Sequence, residues 1–335
     1  MRMTAYLLRR LLGTLPVLLL ITLLVFALLH AAPGDPASLL LSDATNEADV
    51  LEARQRWGLD RPVHVQYLKF ISAAFTGDLG RSFRFAQPVT ELIAARLPAT
   101  IELAALAVLL AFGVAIPLGV WAGARPNSWV DNLGTSIGLF GISMPNFWMG
   151  IMLILLLAGT FHLLPSAGRS TYGVAGAQES GFYLLGSLAA GNWPAVKDAL
   201  MYMVMPALTL GANMVGILMR ITRSSVLEVS HEEYVVTARA KGLAQRSVVW
   251  RHVLSNALIP IVTVAGLELG TLLSGSIIVE TVFAWPGVGS LLITGVTSRD
   301  YPLVTGLVLM YATTFVVINL AIDALYAIID PRIRY

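Results

Sequence analysis

A lysine that cradles nucleotide phosphates follows Gly and precedes Ser or Thr. The three lysines of this 335-residue chain, Lys69, Lys197 and Lys241, are followed by Phe, Asp and Gly, so none completes a phosphate loop. A zinc-protease helix sets two His at i and i+4, with Glu after the first. His231-Glu232-Glu233-Tyr234-Val235 begins that pattern and then places Val at the second ligand position. Gly141-Ile142-Ser143-Met144-Pro145 ends in Pro where a serine nucleophile elbow needs Gly. With no cysteine in the chain, thiolate metal sites and thiol nucleophiles are excluded. The sequence therefore offers no catalytic and no metal-ligating set. Two acids sit in strongly apolar surroundings, Glu268 and Asp323. A carboxylate at membrane depth costs about 2.5–3.5 kcal/mol and often marks an ion path. Glu268 is accordingly the candidate for lining a translocation path, and Asp323 reads as an interfacial charge.

The elements that must carry these residues are membrane spans. Charged residues make up 13% of the chain, against about 25% in soluble proteins. The hydrophobic share is 56% and the mean hydropathy is +0.75, more apolar surface than one or two globular cores can hide. A net charge of +2 gives no reason to expect a nucleic-acid partner. Six stretches are long enough to cross roughly 30 Å of hydrocarbon: 11–31, 100–124, 134–164, 201–219, 257–279 and 304–329. The first is too long for the apolar core of a cleaved signal peptide, although Arg9 and Arg10 supply the basic flank of one. The third exceeds one membrane thickness and is expected to tilt or to extend past the interface. Asn192-Trp193-Pro194 forms a helix-starting set before the fourth.

Twelve Lys and Arg fall on the side of the N-terminus and three in the short loops of the other side, with seven in a long loop exempt from the count. Both termini are therefore expected in the cytoplasm. The chain divides into 1–31, an N-terminal segment with the first span; 32–98, a partly helical extracytoplasmic loop; and 99–335, the core with a cytoplasmic loop at 220–256. In the outer loop, Thr45 or Asn46 can cap one helix and Gly58 can stop it. Pro62 can start a second, with Val63, Tyr67, Phe70, Ile71 and Ala74 on one face. Trp285-Pro286-Gly287 fits a type II turn, ahead of an apolar stretch at 290–296 too short to span.

The loop 220–256 carries six basic residues and three Glu, a balance of +3, with one Gly and no Pro. It reads as two helices, about 224–241 and 245–254, meeting at Gly242. Small Ala238, Ala240 and Gly242 cluster at the bend, where a second protein's backbone can approach closely.

Thr237-Ala238-Arg239-Ala240-Lys241-Gly242-Leu243, followed by Arg251-His252, Asn256-Ala257-Leu258 and Pro260, resembles the cytoplasmic signature loop of ABC-importer permeases. More narrowly, it resembles the dipeptide/oligopeptide/nickel permease family. Val236 and Thr237 stand where the general pattern has Glu and the first Ala, and Ser255 replaces its first Pro. The resemblance continues through Pro33-Gly34-Asp35-Pro36, Gly58-Leu59-Asp60-Arg61-Pro62, Gly77-Asp78-Leu79-Gly80-Arg81-Ser82, Ser143-Met144-Pro145, Glu280 to Gly287 and the terminal Asp330-Pro331-Arg332-Ile333-Arg334-Tyr335. It implies an all-α type I importer transmembrane domain in a bacterial plasma membrane. It further implies that Tyr234 and Ala238 to Leu243 form a coupling helix seated on an ATPase. The implied partners are a homologous second permease, two ATP-binding subunits, which hold ATP and magnesium, and an extracytoplasmic solute-binding protein. This chain would hold no cofactor. Di- or oligopeptides are the implied cargo, with nickel complexes and glutathione as family alternatives; an ion-coupled porter or channel using Glu268 is the reading from another class. The purified chain is expected to show no ATP hydrolysis above a mock purification, and contaminant-free turnover would overturn that expectation.

Overall fold

The computed structural model describes residues 3–31, 55, 58–171 and 181–329. The helix start expected at Thr45 or Asn46 and the terminal motif at 330–335 lie outside the described residues, as does the side chain of Asp323. Among the described residues, five helical stretches are long and apolar enough to span: Gly13–Ala31, Val89–Ala124, Trp193–Val229, Gln245–Leu272 and Tyr301–Ile322. The stretch expected as the third span is a bent pair of helices, Trp129–Ser143 and Asn146–Thr160, set at 108° to each other, which brings the number of spans to six when the pair is counted as one crossing. The expected tilt of a single long helix is thus replaced by a break. Its cause is local. Met144 precedes Pro145 and takes an extended backbone, φ −92° and ψ 126°, because proline's ring disfavours helical geometry in the residue before it. Pro145 then caps the second helix with its fixed φ of −61°.

The helices are labelled in chain order: α1 Met3–Ala31, α2 Val63–Ala74, α3 Val89–Ala124, α4 Trp129–Ser143 and α5 Asn146–Leu153, which widens into a π turn at Ile154–Thr160. They continue with α6 Tyr183–Ala189, α7 Trp193–Val229, α8 Glu233–Ala240, α9 Leu254–Val282, α10 Val288–Thr297 and α11 Tyr301–Ile329. The chain clusters into two units, whose described residues fall within 1–100 with 286–317, and 101–285 with 318–334.

In the first unit, α2 starts at Pro62 as expected and lies against α1. The Tyr67 hydroxyl donates to Leu19 O at 2.9 Å, and Gln66 Oε1 lies 3.2 Å from His30 Nε2. A core of Val89, Ile93, Val288, Leu291, Leu303 and Leu307 ties the start of α3 to α10 and α11. Buried Asp300 organises the start of α11. Its carboxylate accepts from Ser82 Oγ, from the Arg84 amide at 3.0 Å and from the Leu303 amide at 3.2 Å.

The second unit holds α4 to α9 with most of α3. Asn192 caps α7 by accepting from the Ala195 amide at 3.2 Å, with Pro194 in the first turn, as the sequence suggested. Gly134, Gly138 and Gly141 recur on one face of α4 and pack on α7. A Cβ at Gly141 would stand 2.5 Å from Ala212 O, and one at Gly216 would stand 2.4 Å from Gly138 O. Small residues let backbones approach this closely where lipid supplies no hydrophobic drive between helices. At the end of α9, no type II turn forms. Ala284, at φ 47°, ends the helix, with the Trp285 amide donating to Glu280 O at 2.8 Å. In the first unit Gly287 takes φ −102° and caps α10. Gly141→Val should lower the thermal midpoint of the detergent-purified chain by the equivalent of about 1–3 kcal/mol of overpacking. Gly113→Ala, whose Cβ meets nothing within 4 Å, should leave it unchanged or raise it; equal behaviour of the two variants in thermal unfolding would refute the packing argument.

Candidate functional site

Eight residues are too few to hold a helix in water, where about 12–15 are marginal. The short α8, Glu233–Ala240, is held by what it packs on. Val235 and Ala238, three apart and hence on one face, are buried in a cluster with Val120, Val226, Val248, Val249, Val253, Ala257 and Ile261. The cluster therefore joins α8 to α3, α7 and the run entering α9. The rest of α8 and the turn after it are open: Val236, Arg239 and Ala240 are exposed, as are Lys241 and Leu243, and Tyr234 is exposed at the edge of the seated face. Val236 is 55% exposed, Trp250 46% and Leu243 44%, so large apolar side chains share this end with three arginines and a lysine.

Charge and capping fix the ends of α8. Glu233 lies in its first turn and Arg239 in its last, the order that complements the helix dipole. Gly242 ends it at φ +81°, with its amide donating to Arg239 O at 2.9 Å. A Cβ at Gly242 would meet no atom within 4 Å, so its backbone angle, not a close approach within the chain, asks for glycine. The Tyr234 hydroxyl donates to His252 O at 3.4 Å. Burial pushes its pKa above the ordinary tyrosine value, while a hydrogen bond with Asn256 opposes the shift. The phenol therefore stays neutral and able to donate at physiological pH.

The expected pair of helices meeting at Gly242 is refined in two ways. The first expected helix is interrupted at Ser230–Glu232, where Ser230 Oγ turns back to Val226 O at 2.6 Å and Glu232 is extended at ψ 143°. The second runs from Gln245–Ser247 through a π turn, Val248–Val253, straight into α9. Of the small residues at the bend, Ala240 and Gly242 are exposed, whereas Ala238 faces the chain's own core and is 8% exposed. It is the seat of α8 rather than an open contact.

Two buried carboxylates that sequence reasoning passed over strap the second unit. Asp131 is 3% exposed and accepts from Arg223 through both oxygens, the Nη2 contact at 2.8 Å. It also accepts from the Asn127 amide at 2.9 Å, so α4 is fastened to α7 just before α7 gives way to α8. Glu102, 4% exposed, accepts from Arg169 Nη2 at 2.8 Å and from the Leu185 amide at 2.9 Å. The Arg169 guanidinium lies 5.8 Å over the ring of Trp285, which is fully buried. Near it, Asp198 accepts from the Tyr183 hydroxyl at 3.3 Å, and burial with that neighbouring charge pushes the Tyr183 pKa up. The available signal was a lone acid within or at the mouth of an apolar run; what it pairs with is visible only in three dimensions.

Glu268 lies on α9, remote in sequence from α8, and is half-buried beside exposed Leu267. Its carboxylate accepts from Thr271 Oγ1, one turn on, at 3.1 Å.

The comparisons with known proteins cover the whole of this arrangement. Residues 115–335 match the family described as "Binding-protein-dependent transport system inner membrane component", and residues 3–104 match its N-terminal companion. A dipeptide transport system permease protein of Alkalihalophilus pseudofirmus is 39% identical over 99% of this chain and all of that one. A probable D,D-dipeptide transport system permease protein of Escherichia coli is 43% identical over 93% and 92% of the two chains. A glutathione transport system permease protein of Salmonella paratyphi A is 39% identical over 99% and 100%. Among solved structures, an inward-facing MetNI methionine ABC transporter superposes with a TM-score of 0.53, at 17% identity, over 71% of this chain and 96% of that one. That likeness shows the type I importer fold. The chain belongs to the binding-protein-dependent transport system inner membrane component family, as a multi-pass permease subunit of the inner membrane.

Proposed function

We propose that this permease forms half of the pathway of an ATP-driven peptide importer and couples to an ATP-binding subunit through α8. The carrying observation is the two-sidedness of α8: Val235 and Ala238 are sealed into the bundle, with the Tyr234 hydroxyl turned back to His252 O, while Val236, Arg239 and Ala240, and Lys241 and Leu243 just beyond its end, are exposed. A lever needs both properties. One face must grip the bundle, and the other must meet a partner whose contact differs between two states, because a contact of equal energy in both shifts nothing. Arg239 and Lys241 would meet acidic groups of that partner, and Leu243 with Val236 its apolar cleft. Displacement of α8 would then reach α3, α7 and α9 through the Val235 cluster.

The remaining parts follow from the same reading. The excess of basic residues supports cytoplasmic termini and a cytoplasmic α8 by the positive-inside rule. Each complex would join this chain to a homologous second permease, two ATP-binding subunits carrying ATP and magnesium, and an extracytoplasmic solute-binding protein. Relatives named for dipeptides, D,D-dipeptides and glutathione support short peptides as the cargo class. Glu268 is proposed to line the path. Its support is a half-buried carboxylate on a spanning helix whose hydrogen bond stays within its own helix, leaving the second oxygen to meet solvent or cargo.

The test is the reconstituted complex with loaded binding protein. Gly242→Val forces a β-branched residue to positive φ, a strain of about 1–3 kcal/mol, and should lower binding-protein-stimulated ATP turnover roughly 5- to 100-fold with subunit assembly retained. Undiminished stimulation would remove α8 as the lever, and uptake driven by an ion gradient without ATP would remove the importer reading. In the same vesicles, Glu268→Gln should change the rate of peptide uptake while stimulated ATP turnover persists. Unchanged uptake would take Glu268 off the path.

A further inference from the structure

In the first unit, a groove of about 450 Å³ runs between α1, α10 and α11. Leu28 and Leu29, Leu292 and Val296, and Val304 and Val308 line it, and Arg299 is the one charged residue of its lining. All three helices are apolar, and α1 and α11 are spanning segments, so the groove opens at membrane depth. From these walls and this single cation we infer that the groove is a binding site for an acidic phospholipid, with an acyl chain along the Leu and Val walls and the phosphate on the Arg299 guanidinium.

Arg299 is the informative residue. Its side chain is half-buried: Nη1 is shut off from solvent with no hydrogen-bond partner among the described residues, so a phosphate would meet Nε and Nη2 first and reach Nη1 only as the guanidinium turns toward the groove. Five donors in a planar fork match a phosphate, and a buried donor left unpaired is costly. The neighbouring acid does not serve it: Asp300 is buried and engaged by Ser82 Oγ and the amides of Arg84 and Leu303. The backbone adds an independent argument. Arg299 follows the end of α10 at φ +52°, with the Asp300 amide donating to Gly295 O at 2.9 Å, a position that glycine fills without strain. An arginine held in that conformation is best accounted for by what its side chain does. A diacyl lipid satisfies the apolar walls and the cation together, which a soluble anion cannot.

The strain argument also supplies the decisive variant. Arg299→Gly suits the backbone, so the full chain should fold at least as well while losing the headgroup contact. Wild-type protein, Arg299→Gly, Arg299→Gln and Arg299→Lys are purified in mild detergent, and bound phospholipid is counted by native mass spectrometry. Each is then melted in bilayer discs of phosphatidylcholine alone or mixed with phosphatidylglycerol. Retention of acidic lipid should fall about fivefold in the Gly and Gln variants, the fold-change for about 1 kcal/mol per basic residue at an acidic lipid surface, and largely persist in Lys. The wild-type midpoint should rise with phosphatidylglycerol, and that rise should vanish in Arg299→Gly. Undiminished retention and an undiminished rise in Arg299→Gly would overturn the site. A destabilisation equal in both bilayers would overturn it in favour of a partner within the chain. A rise reproduced by millimolar inorganic phosphate in neutral discs would overturn it in favour of a soluble anion.

Discussion

Everything about the proposed lever depends on the burial of Val235. An isolated eight-residue helix loses its nucleation free energy without recovering it over enough turns, so α8 would be coil if it stood free. Sealing one valine side chain contributes about 1.5–3 kcal/mol, and Val235 is fully sealed, with Ala238 one turn on leaving room for close approach. The same burial that makes α8 a helix makes it an extension of the bundle. A connector that was helical by propensity alone could bend away under load. One whose helicity exists only when docked moves with Val120, Val226 and Val253 or unfolds.

The rest of the second unit stiffens that connection by two unlike means. Between α4 and α7 backbone meets backbone at Gly141 and Gly216, where an added Cβ would stand 2.5 Å from Ala212 O and 2.4 Å from Gly138 O, so a larger residue at either would force the helices apart. Where α4 begins, Asp131 and Arg223 add a two-pronged charge contact that an apolar pair could not keep in one register. Buried ion pairs are poor sources of net stability, because desolvation offsets most of the attraction. Their value lies in the high cost of misalignment. An assembly that must pass between two states benefits from having a few stiff joints and a few loose ones, and the break at Met144-Pro145 divides α4 from α5 without asking either to bend.

How legible was this in the sequence? Spans were readable because twenty apolar residues have few alternatives to crossing a bilayer, and the helix starts at Pro62 and Asn192 were readable because capping is decided within four residues. The residues proposed for coupling, Tyr234 and Ala238 to Leu243, could be picked out as a segment, although not sorted into faces; only packing shows that Ala238 is buried while Arg239 and Lys241 are exposed. The turn at Trp285-Pro286-Gly287 misled, because a Pro-Gly pair satisfies local turn chemistry and the end of α9 had already taken the positive φ at Ala284. Glu102 and Asp131 were passed over for the opposite reason: each is an ordinary acid until its arginine, 67 and 92 positions away, is brought beside it.

Composition and order along the chain determined by themselves that this protein lives in a membrane, and where its spans and several of its helix starts lie. Those are properties of transfer free energy and of short-range spacing, and neither needs a partner segment to be defined. Tertiary structure decided which carboxylates are paired, where the third apolar stretch bends, which side of α8 is seat and which is surface, and that Arg299 lines an apolar groove. Each of these depends on a contact between residues far apart in sequence, and the free energy of such a contact is set by distance and burial, quantities that exist only once the chain has folded.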